Sequence, residues 1–182
     1  MTERPDLSAF LAARVRDVPD YPLPGVLFKD IAPLLADHEA YTAMVDALAE
    51  YGGEHAPGGQ VDKVVGIEAR GFIVAAPVAY RLGAGFVPVR KQGKLPGETF
   101  GTTYDLEYGT ATLEVQRGAF TPGDRVLLVD DVLATGGTAA AAMDLVHQAG
   151  GVVVGIAVLI ELGFLGGRDR LADVEVQALI TV

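Results

Sequence analysis

The sequence predicts an α/β fold with a central, mostly parallel sheet flanked by helices. Two observations predict it. The first is a set of short apolar runs without polar alternation, such as KVVGI at 63–67 and VVVGIAVLI at 152–160, which is typical of strands buried on both faces. The second is that segments with helical spacing lie between these runs, and alternating strands and helices imply parallel strands joined by crossovers. The 182 residues suit one domain, spanning 1–182.

The first third of the chain predicts two helices separated by a rigid loop. Asp6 can cap a helix whose apolar stripe runs over 7–15, before a series of prolines ends it. Residues 21–33, YPLPGVLFKDIAP, hold too many prolines for regular structure. Asp37 can cap a second helix, which the glycine pair at 52–53 is expected to end.

The middle of the chain predicts short strands around one helix and one long connection. The strand at 63–67 leads into a helix that Pro77 should kink or delay. GFVPV at 85–89 is another short strand, and ATLEVQ at 111–116 alternates like an exposed one. Residues 91–108 show no clear period, so they form either a long loop or a weakly paired hairpin. Long loops in compact domains are often functional lids, and we expect a mobile hood here.

The last third predicts three strands, at 125–130, 152–160 and 174–182, and a helix at 139–149. In sheets of this kind, ligands bind beyond the carboxyl ends of the strands. The polar residues of chemical interest follow three strands in this way, in the segments 68–71, 90–94 and 130–138. We therefore expect a single site assembled from these three loops.

The composition sets the expected class of protein and of partner. The formal net charge of −10 argues against general binding of nucleic acid, which needs a basic surface. No apolar run approaches the roughly 18 residues of a membrane span. The first residues lack the apolar core of a signal peptide, and the chain has no cysteine. We expect a cytoplasmic protein with neither nucleic acid nor membrane as a partner.

One basic cluster stands out in this acidic chain. Arg90, Lys91 and Lys94 lie close together in VRKQGKLPG, residues 89–97. Such a cluster favours a small, highly charged anion as ligand. A solvated surface loop would produce the same pattern, so the residues alone leave both interpretations open.

The segment TGGT at 135–138 has the composition of a phosphate cradle. Glycines without a Cβ let the backbone approach a ligand closely and direct several N–H groups at it. The predicted helix begins here, and a helix N-terminus favours an anion. The segment is not a Walker loop, because no GxxxxGK[ST] spacing is present. An ordinary glycine-rich turn remains the alternative.

Asp130 and Asp131 strengthen the phosphate interpretation. Two adjacent carboxylates at the end of a buried strand repel each other, unless hydroxyl groups or a cation satisfy them. The vicinal hydroxyls of a ribose whose 5′-phosphate sits in the neighbouring loop would do so. Magnesium would do so too, because it prefers oxygen ligands and phosphate-bearing substrates. The pattern therefore indicates a ribose phosphate.

Several segments of the sequence resemble those of a known family. VLLVDDVLATGGT resembles the phosphoribosyl-diphosphate signature of the type I phosphoribosyltransferases. The segments YPLPGVLFKDIAPLL, GIEARGF, VRKQGKLPGET, LEYG and IELGFLGGR resemble the members that act on adenine. These matches run in order from about Tyr21 to Leu171, which is most of the chain. The resemblance implies the type I phosphoribosyltransferase fold and a purine-salvage reaction: adenine and phosphoribosyl diphosphate give AMP and diphosphate, with Mg²⁺.

The resemblance also implies the roles of individual residues. The 5′-phosphate would be held by Ala134, Thr135, Gly136, Gly137 and Thr138, and the ribose hydroxyls would face Asp130 and Asp131. The diphosphate would be bound by Glu68, Ala69, Arg70, Arg90, Lys91 and Lys94. The family often has a cis peptide bond at the position of Glu68–Ala69. Adenine would stack on Phe28, and the backbone of Val26 and Lys29 would read its edge.

The catalytic roles implied are those of Glu107, Arg70 and Lys91. Glu107 would hold or accept the adenine proton, and the two cations would stabilise the departing diphosphate. The substrate would supply most of the ligands of Mg²⁺, with no direct protein ligand and with the ion near Asp130. Many relatives carry arginine where this chain has Lys29, which matters little if the contact is through the backbone. The family also implies a homodimer.

Alternative interpretations remain for single residues and for the function of the protein. Taken alone, Glu107 fits a surface strand and Phe28 fits a core position. A related transferase for a 6-oxopurine (hypoxanthine, guanine or xanthine) is the nearest alternative function. A non-catalytic regulator that senses phosphoribosyl diphosphate is the alternative from another class.

Overall fold

The structure, a computed structural model, describes residues 6–105 and 109–182. The described helices are α1 Leu7–Ala12, α2 Ala32–Ala36, α3 His38–His55, α4 Arg70–Leu82 and α5 Gly137–Gln148. The strands are β1 Arg16–Pro19, β2 Leu27–Asp30, β3 Lys63–Ile67, β4 Gly85–Lys91, β5 Thr99–Asp105, β6 Thr110–Gln116, β7 Arg125–Leu133, β8 Val152–Glu161 and β9 Val176–Thr181. Short 3₁₀ helices cover Pro57–Gly59, Gly163–Leu165 and Gly167–Leu171.

Seven strands form the main sheet, in the order β5-β6-β4-β3-β7-β8-β9. The strands from β4 to β9 in this order are parallel to their neighbours, and the β5–β6 hairpin continues the sheet in antiparallel fashion beyond β4. β1 and β2 pair separately as an antiparallel ribbon. The predicted α/β class and mostly parallel sheet are confirmed.

Hydrophobic clusters cover both faces of this sheet, as β7 illustrates. Leu127 and Val129 pack into the cluster that includes α3 and α4, whereas Val126 and Leu128 pack into the cluster that includes α5. Alternate residues of a strand point to opposite faces, so a strand buried on both sides needs the continuous apolar run seen in the sequence.

The prediction for the end of α3 was wrong. The helix passes through both glycines of 52–53 and ends at His55, two residues before Pro57. A Cβ on Gly52 would lie 2.7 Å from a methyl carbon of Leu127. This glycine therefore lets the helix pack closely on β7, and it does not mark a helix end.

Two proline-based predictions were also wrong. β2 and α2 occupy much of the proline-rich stretch that was expected to lack regular structure. β1 contributes the pairing partner, with Val18 opposite Phe28. Pro77, which was expected to kink or delay the helix, does not delay α4, because α4 begins at Arg70 and continues to Leu82.

The segment 91–108 is a hairpin over the part that the structure describes. β5 pairs with β6 from Thr99 opposite Gln116 to Asp105 opposite Thr110. Phe100 packs into the cluster that includes α5, and the Gln148 side chain on α5 donates to the Thr102 hydroxyl at 2.9 Å. The hairpin is thus attached to the helix that follows the glycine-rich loop.

Within the described residues, none of the helices has the length and hydropathy that crossing a membrane requires.

Candidate active site

The glycine-rich loop after β7 lines a cavity of about 90 Å³. Its wall includes Ala134–Thr138, and apolar residues such as Val158 complete it. Gly136 adopts φ +78°, which only glycine adopts readily, and α5 begins at Gly137. The first N–H groups of a helix have no partner within the helix, so they are free to meet an anion here.

The two aspartates lie inside the last part of β7, and not beyond its end as the sequence suggested. Pairing with β3 stops at Val129, whereas pairing with β8 continues through Asp130 to Leu133. The acid pair therefore stands where β3 leaves β7 open, next to the cavity. This arrangement follows from the longer reach of β8, which the apolar run of β7 alone does not reveal.

Asp130 is held close to the start of α4. Its Oδ1 accepts the backbone N–H of Asp131 at 2.9 Å. A Cβ on Gly71 would overlap this same oxygen, so the glycine of EARG leaves room for the carboxylate. Burial raises the pKa of Asp130 well above its usual value, and the negative charge of Asp131 adds to the rise.

Asp131 is 6% exposed and pairs with Arg70 across 2.7 Å, from Oδ2 to Nε. Although the two atoms are close, this Oδ2 accepts no well-directed hydrogen bond within the described structure. A buried carboxylate oxygen with remaining acceptor capacity suits a hydroxyl group or a cation.

Arg70 joins the acid pair to the aromatic residue of the proline-rich loop. Its guanidinium carbon lies 4.7 Å from the centroid of the Phe28 ring, and its Nη1 donates to the Lys29 carbonyl at 3.4 Å. In this structure the arginine therefore connects Asp131, which is expected to face the ribose, with the segment expected to bind a base.

Phe28 is half-buried on β2. The Tyr21 ring meets it edge-on, with centroids 5.1 Å apart. The side chain of the next residue, Lys29, is only 13% exposed and pairs with Asp17 on β1 at 2.7 Å. Its ammonium is thus directed to β1, while the exposed Val26 lies in the turn before β2.

The cationic cluster predicted from the sequence assembles around Glu68. This carboxylate accepts from Arg90 Nε at 3.2 Å, from the backbone N–H of Lys91 at 3.0 Å, and from the Lys94 ammonium. Burial alone would raise the pKa of Glu68, but these donors outweigh it and leave the pKa below its usual value. The Glu68–Ala69 peptide bond is cis, as the resemblance implies.

The structure brings eight of the predicted site residues together in two contact sets. Arg70 links Asp131, Phe28 and Lys29, and Glu68 binds the Arg90 and Lys94 side chains and the backbone N–H of Lys91. Glu107 lies outside the described residues. Sequence reasoning placed Gly71 in the site segment 68–71 but gave it no role, because that role depends on the carboxylate of a distant strand.

The acid pair fits magnesium held mainly by a phosphate-bearing substrate. Asp131 Oδ2 contacts only the Arg70 guanidinium, at 2.7 Å, within the described residues, and a cation could take over that contact. Within the residues that the structure describes, no three acidic or histidine side chains cluster as a complete metal cage. Magnesium commonly uses one or two carboxylates together with substrate oxygens, which is the donor set available here.

Comparison with known proteins gives a consistent result. The family model for the phosphoribosyl transferase domain matches residues 34–180. The adenine phosphoribosyltransferase of Thermobifida fusca is 62% identical over 177 residues, which is 97% of this chain and 98% of that protein. That of Acidothermus cellulolyticus is 63% identical over 178 residues, with the same coverage of 97% and 98%.

Solved structures agree over nearly the whole length. The adenine phosphoribosyltransferase of Rhodothermus marinus superposes with a TM-score of 0.90 at 51% identity, covering 97% of this chain and 98% of that one. The Saccharomyces cerevisiae enzyme, solved with an imino-altritol bisphosphate and adenine, gives 0.91 at 40% identity, covering 95% and 98%.

Proposed function

The chain belongs to the adenine phosphoribosyltransferases of the phosphoribosyl transferase family, and from this premise we propose how its residues carry out the reaction. In purine salvage, the enzyme transfers the 5-phosphoribosyl group of phosphoribosyl diphosphate to adenine. The ribose C1–oxygen bond to diphosphate breaks, a bond from C1 to an adenine nitrogen forms, and that nitrogen loses its proton. The products are AMP and diphosphate.

One observation supports the proposal most strongly: the glycine-rich start of α5 adjoins the acid pair of β7. The cavity at 134–138 suits the 5′-phosphate. Asp131 lies in β7 shortly before this loop, and its carboxylate, paired with Arg70 in the free enzyme, would accept from the ribose hydroxyls. A ribose phosphate presents its phosphate and its diol at opposite ends, which corresponds to this arrangement.

The test is a steady-state assay with phosphoribosyl diphosphate, magnesium and a panel of free bases. We expect AMP and diphosphate to form in equal amounts with adenine, and hypoxanthine, guanine and xanthine to be turned over at least about a hundredfold less efficiently, since buried hydrogen-bond mismatches strongly reduce specificity constants. Preference for a 6-oxopurine would contradict the proposal. So would binding of the sugar without turnover of any base, the behaviour of a regulator.

The charges that develop in the transition state determine the roles of the acidic and basic residues. As the C1–oxygen bond breaks, positive charge grows on the sugar and negative charge on the diphosphate. Asp130 and Asp131 stabilise the former, and the cations Arg90, Lys91 and Lys94 receive the latter. Bound magnesium would neutralise the leaving group further.

Arg70 and Glu68 prepare these groups before substrate arrives. The Arg70–Asp131 contact of 2.7 Å neutralises one carboxylate in the free enzyme. Glu68 holds the Arg90 and Lys94 cations together through its side chain, so its own contact with diphosphate, and that of Ala69, would be through the backbone. Substrate would replace part of this ion pairing, because diphosphate carries more charge than one carboxylate.

Glu107 is proposed as the acceptor of the adenine proton, on the strength of the LEYG match. We expect Glu107→Gln to lower kcat about a hundredfold or more, the usual contribution of a general base, while the KM for phosphoribosyl diphosphate changes little. Glu98→Gln is the control, because Glu98 is an exposed carboxylate of the same segment. Near-normal turnover of Glu107→Gln would remove Glu107 from the mechanism.

Phe28 is proposed as the platform on which adenine stacks, with Val26 and Lys29 reading the base edge through their backbone. Stacking of a base on an aromatic ring contributes about 1–3 kcal/mol. We therefore expect Phe28→Ala to raise the adenine KM about tenfold or more and to leave the KM for phosphoribosyl diphosphate within about twofold. Phe28→Tyr keeps the ring and should restore the adenine KM. Equal increases in both KM values would indicate a role in folding only.

We further propose a single domain in which residues 91–108 close over the substrates, and a homodimer that works in the cytoplasm with magnesium-bound substrate. Ile73 and Tyr80 support the dimer, since they lie on one side of α4 and are 47% and 90% exposed. Large exposed apolar patches often mark interaction surfaces. Sedimentation equilibrium at micromolar concentration tests this, and a purely monomeric mass would contradict it. Cell fractionation tests the compartment.

A further inference from the structure

The loop after β8 touches the phosphate-binding loop directly, backbone against backbone. A Cβ on Gly167 would overlap the carbonyl oxygen of Ala134 and lie 3.1 Å from the amide nitrogen of Gly136. In the other direction, a Cβ on Gly136 would overlap the carbonyl oxygen of Gly167. Neither position has room for a side chain, so each loop limits where the other can lie.

An ion pair with a buried carboxylate fixes Arg168, the residue that follows Gly167. Arg168 donates from Nε and Nη2 to the two carboxylate oxygens of Glu161, at 2.7 and 2.8 Å. Its Nη1 donates to the Val176 carbonyl at 2.6 Å. The Glu161 side chain is 8% exposed, and two-point Arg–carboxylate pairs of this kind are geometrically specific.

The other end of the same 3₁₀ helix is fixed by packing. Leu171 is 2% exposed and belongs to the cluster that contains Leu133 and Leu145. Leu133 ends β7 just before the phosphate-binding loop, and Leu145 lies in the last turn of α5, the helix that follows the loop. The segment Gly167–Leu171 is therefore anchored to the elements on both sides of that loop.

Arg168 does not have the geometry of a phosphate ligand. Its Nε, Nη1 and Nη2 all donate to protein oxygens. The segment Gly167–Leu171 therefore affects the site through the position of the Gly167 backbone, which contacts the phosphate-binding loop. A support of this kind acts on the ligand through the loop that it holds.

We propose that Gly167, held by the Arg168–Glu161 pair, is a positioning residue that sets the phosphate-binding loop for the 5′-phosphate. The inference deepens the proposed function and rests on it. A methyl group at position 167 would overlap the Ala134 carbonyl oxygen, so the backbone of Ala134–Gly136 would have to shift. A displacement of about 1 Å at a binding group can reduce efficiency about a hundredfold, and the N–H groups that face the phosphate lie in the displaced loop.

The experiment compares Gly167→Ala with Gly163→Ala. Gly163 lies in the same β8–β9 connection, but a Cβ there would meet its nearest atom at an ordinary 3.4 Å. Calorimetric titration with ribose 5-phosphate reports binding apart from catalysis. We expect the Kd to rise about tenfold or more for Gly167→Ala and to stay within about twofold for Gly163→Ala. The KM for phosphoribosyl diphosphate should rise in parallel, with the adenine KM unchanged.

A second variant decides the matter if Gly167→Ala does not fold. Glu161→Gln keeps the shape of the side chain but removes the charge that fixes Arg168, and we expect a smaller rise of the Kd for ribose 5-phosphate in the same direction. Arg168→Lys keeps the charge and loses the two-point contact, so it should fall between Glu161→Gln and the unmodified protein.

Unchanged affinity for ribose 5-phosphate in folded Gly167→Ala, or in Glu161→Gln where only that variant folds, would overturn the inference. An equal loss of affinity for adenine would do so as well, because it would show a general structural defect. Failure of the unmodified protein to form AMP would contradict the proposed function instead, so the two failures are distinguishable.

Discussion

Gly136→Val is expected to reduce kcat/KM for phosphoribosyl diphosphate by at least about a hundredfold. Two separate effects act together. The φ of +78° at this position disfavours any residue with a Cβ, and that Cβ would overlap the Gly167 carbonyl. The loop must therefore move, and the helix N-terminal N–H groups move with it. Titration with ribose 5-phosphate and steady-state kinetics measure the loss.

Gly118→Val is the matched control for this change. Gly118 has nearly the same φ, +79°, but a Cβ there would meet nothing within 4 Å. It therefore reproduces the backbone strain without the overlap. We expect Gly118→Val to lose some thermal stability and to keep its affinity for ribose 5-phosphate. If Gly136→Val bound the sugar phosphate normally, the phosphate would have to bind elsewhere.

Asp131→Asn is expected to lower kcat by about a hundredfold to a thousandfold, which is typical for removing one preorganised electrostatic contact. The substitution keeps the size of the side chain but leaves the Arg70 guanidinium, now 2.7 Å from a neutral group, without its counter-charge. A net positive charge beside the sugar opposes the positive charge that develops on C1. The loss should therefore appear mainly in kcat.

Asp46→Asn controls for the loss of an arginine–aspartate pair as such. Asp46 pairs with Arg81 at the same distance of 2.7 Å on the surface, where it is about half exposed. Exposed pairs contribute about 0–1 kcal/mol, so this variant should keep full activity. A kcat of Asp131→Asn within about threefold of the unmodified protein would show that this carboxylate is not needed for the chemical step.

The fold was predictable because its main signal is local. A strand buried on both faces needs a continuous apolar run, and β3, β7 and β8 each show one. Predictions failed where a tertiary contact outweighed a local preference. From its neighbours alone, Gly52 resembles a helix end. It lies inside α3, however, where its lack of a Cβ makes room for the Leu127 side chain.

The sequence predicted which loops form the site, but it did not predict the contacts between their residues. The sequence identifies Arg70 and Asp131 as polar residues near strand ends, but their pairing depends on how β3 and β7 align in the sheet. The roles of Gly71 and Gly167 were missed for the same reason, because each faces a backbone or carboxylate from a distant part of the chain. Family resemblance supplied roles, and only the fold supplies the contacts.

The pairing of Lys29 with Asp17 bears on how base preference can change in evolution. The ammonium of Lys29 is already neutralised on the β1 side of the ribbon, so exchanging it for another cation leaves the surface offered to a purine almost the same. We expect new specificities to arise from insertions or deletions in the turn between β1 and β2, which would redirect main-chain donors and acceptors, and seldom from charge substitutions at position 29.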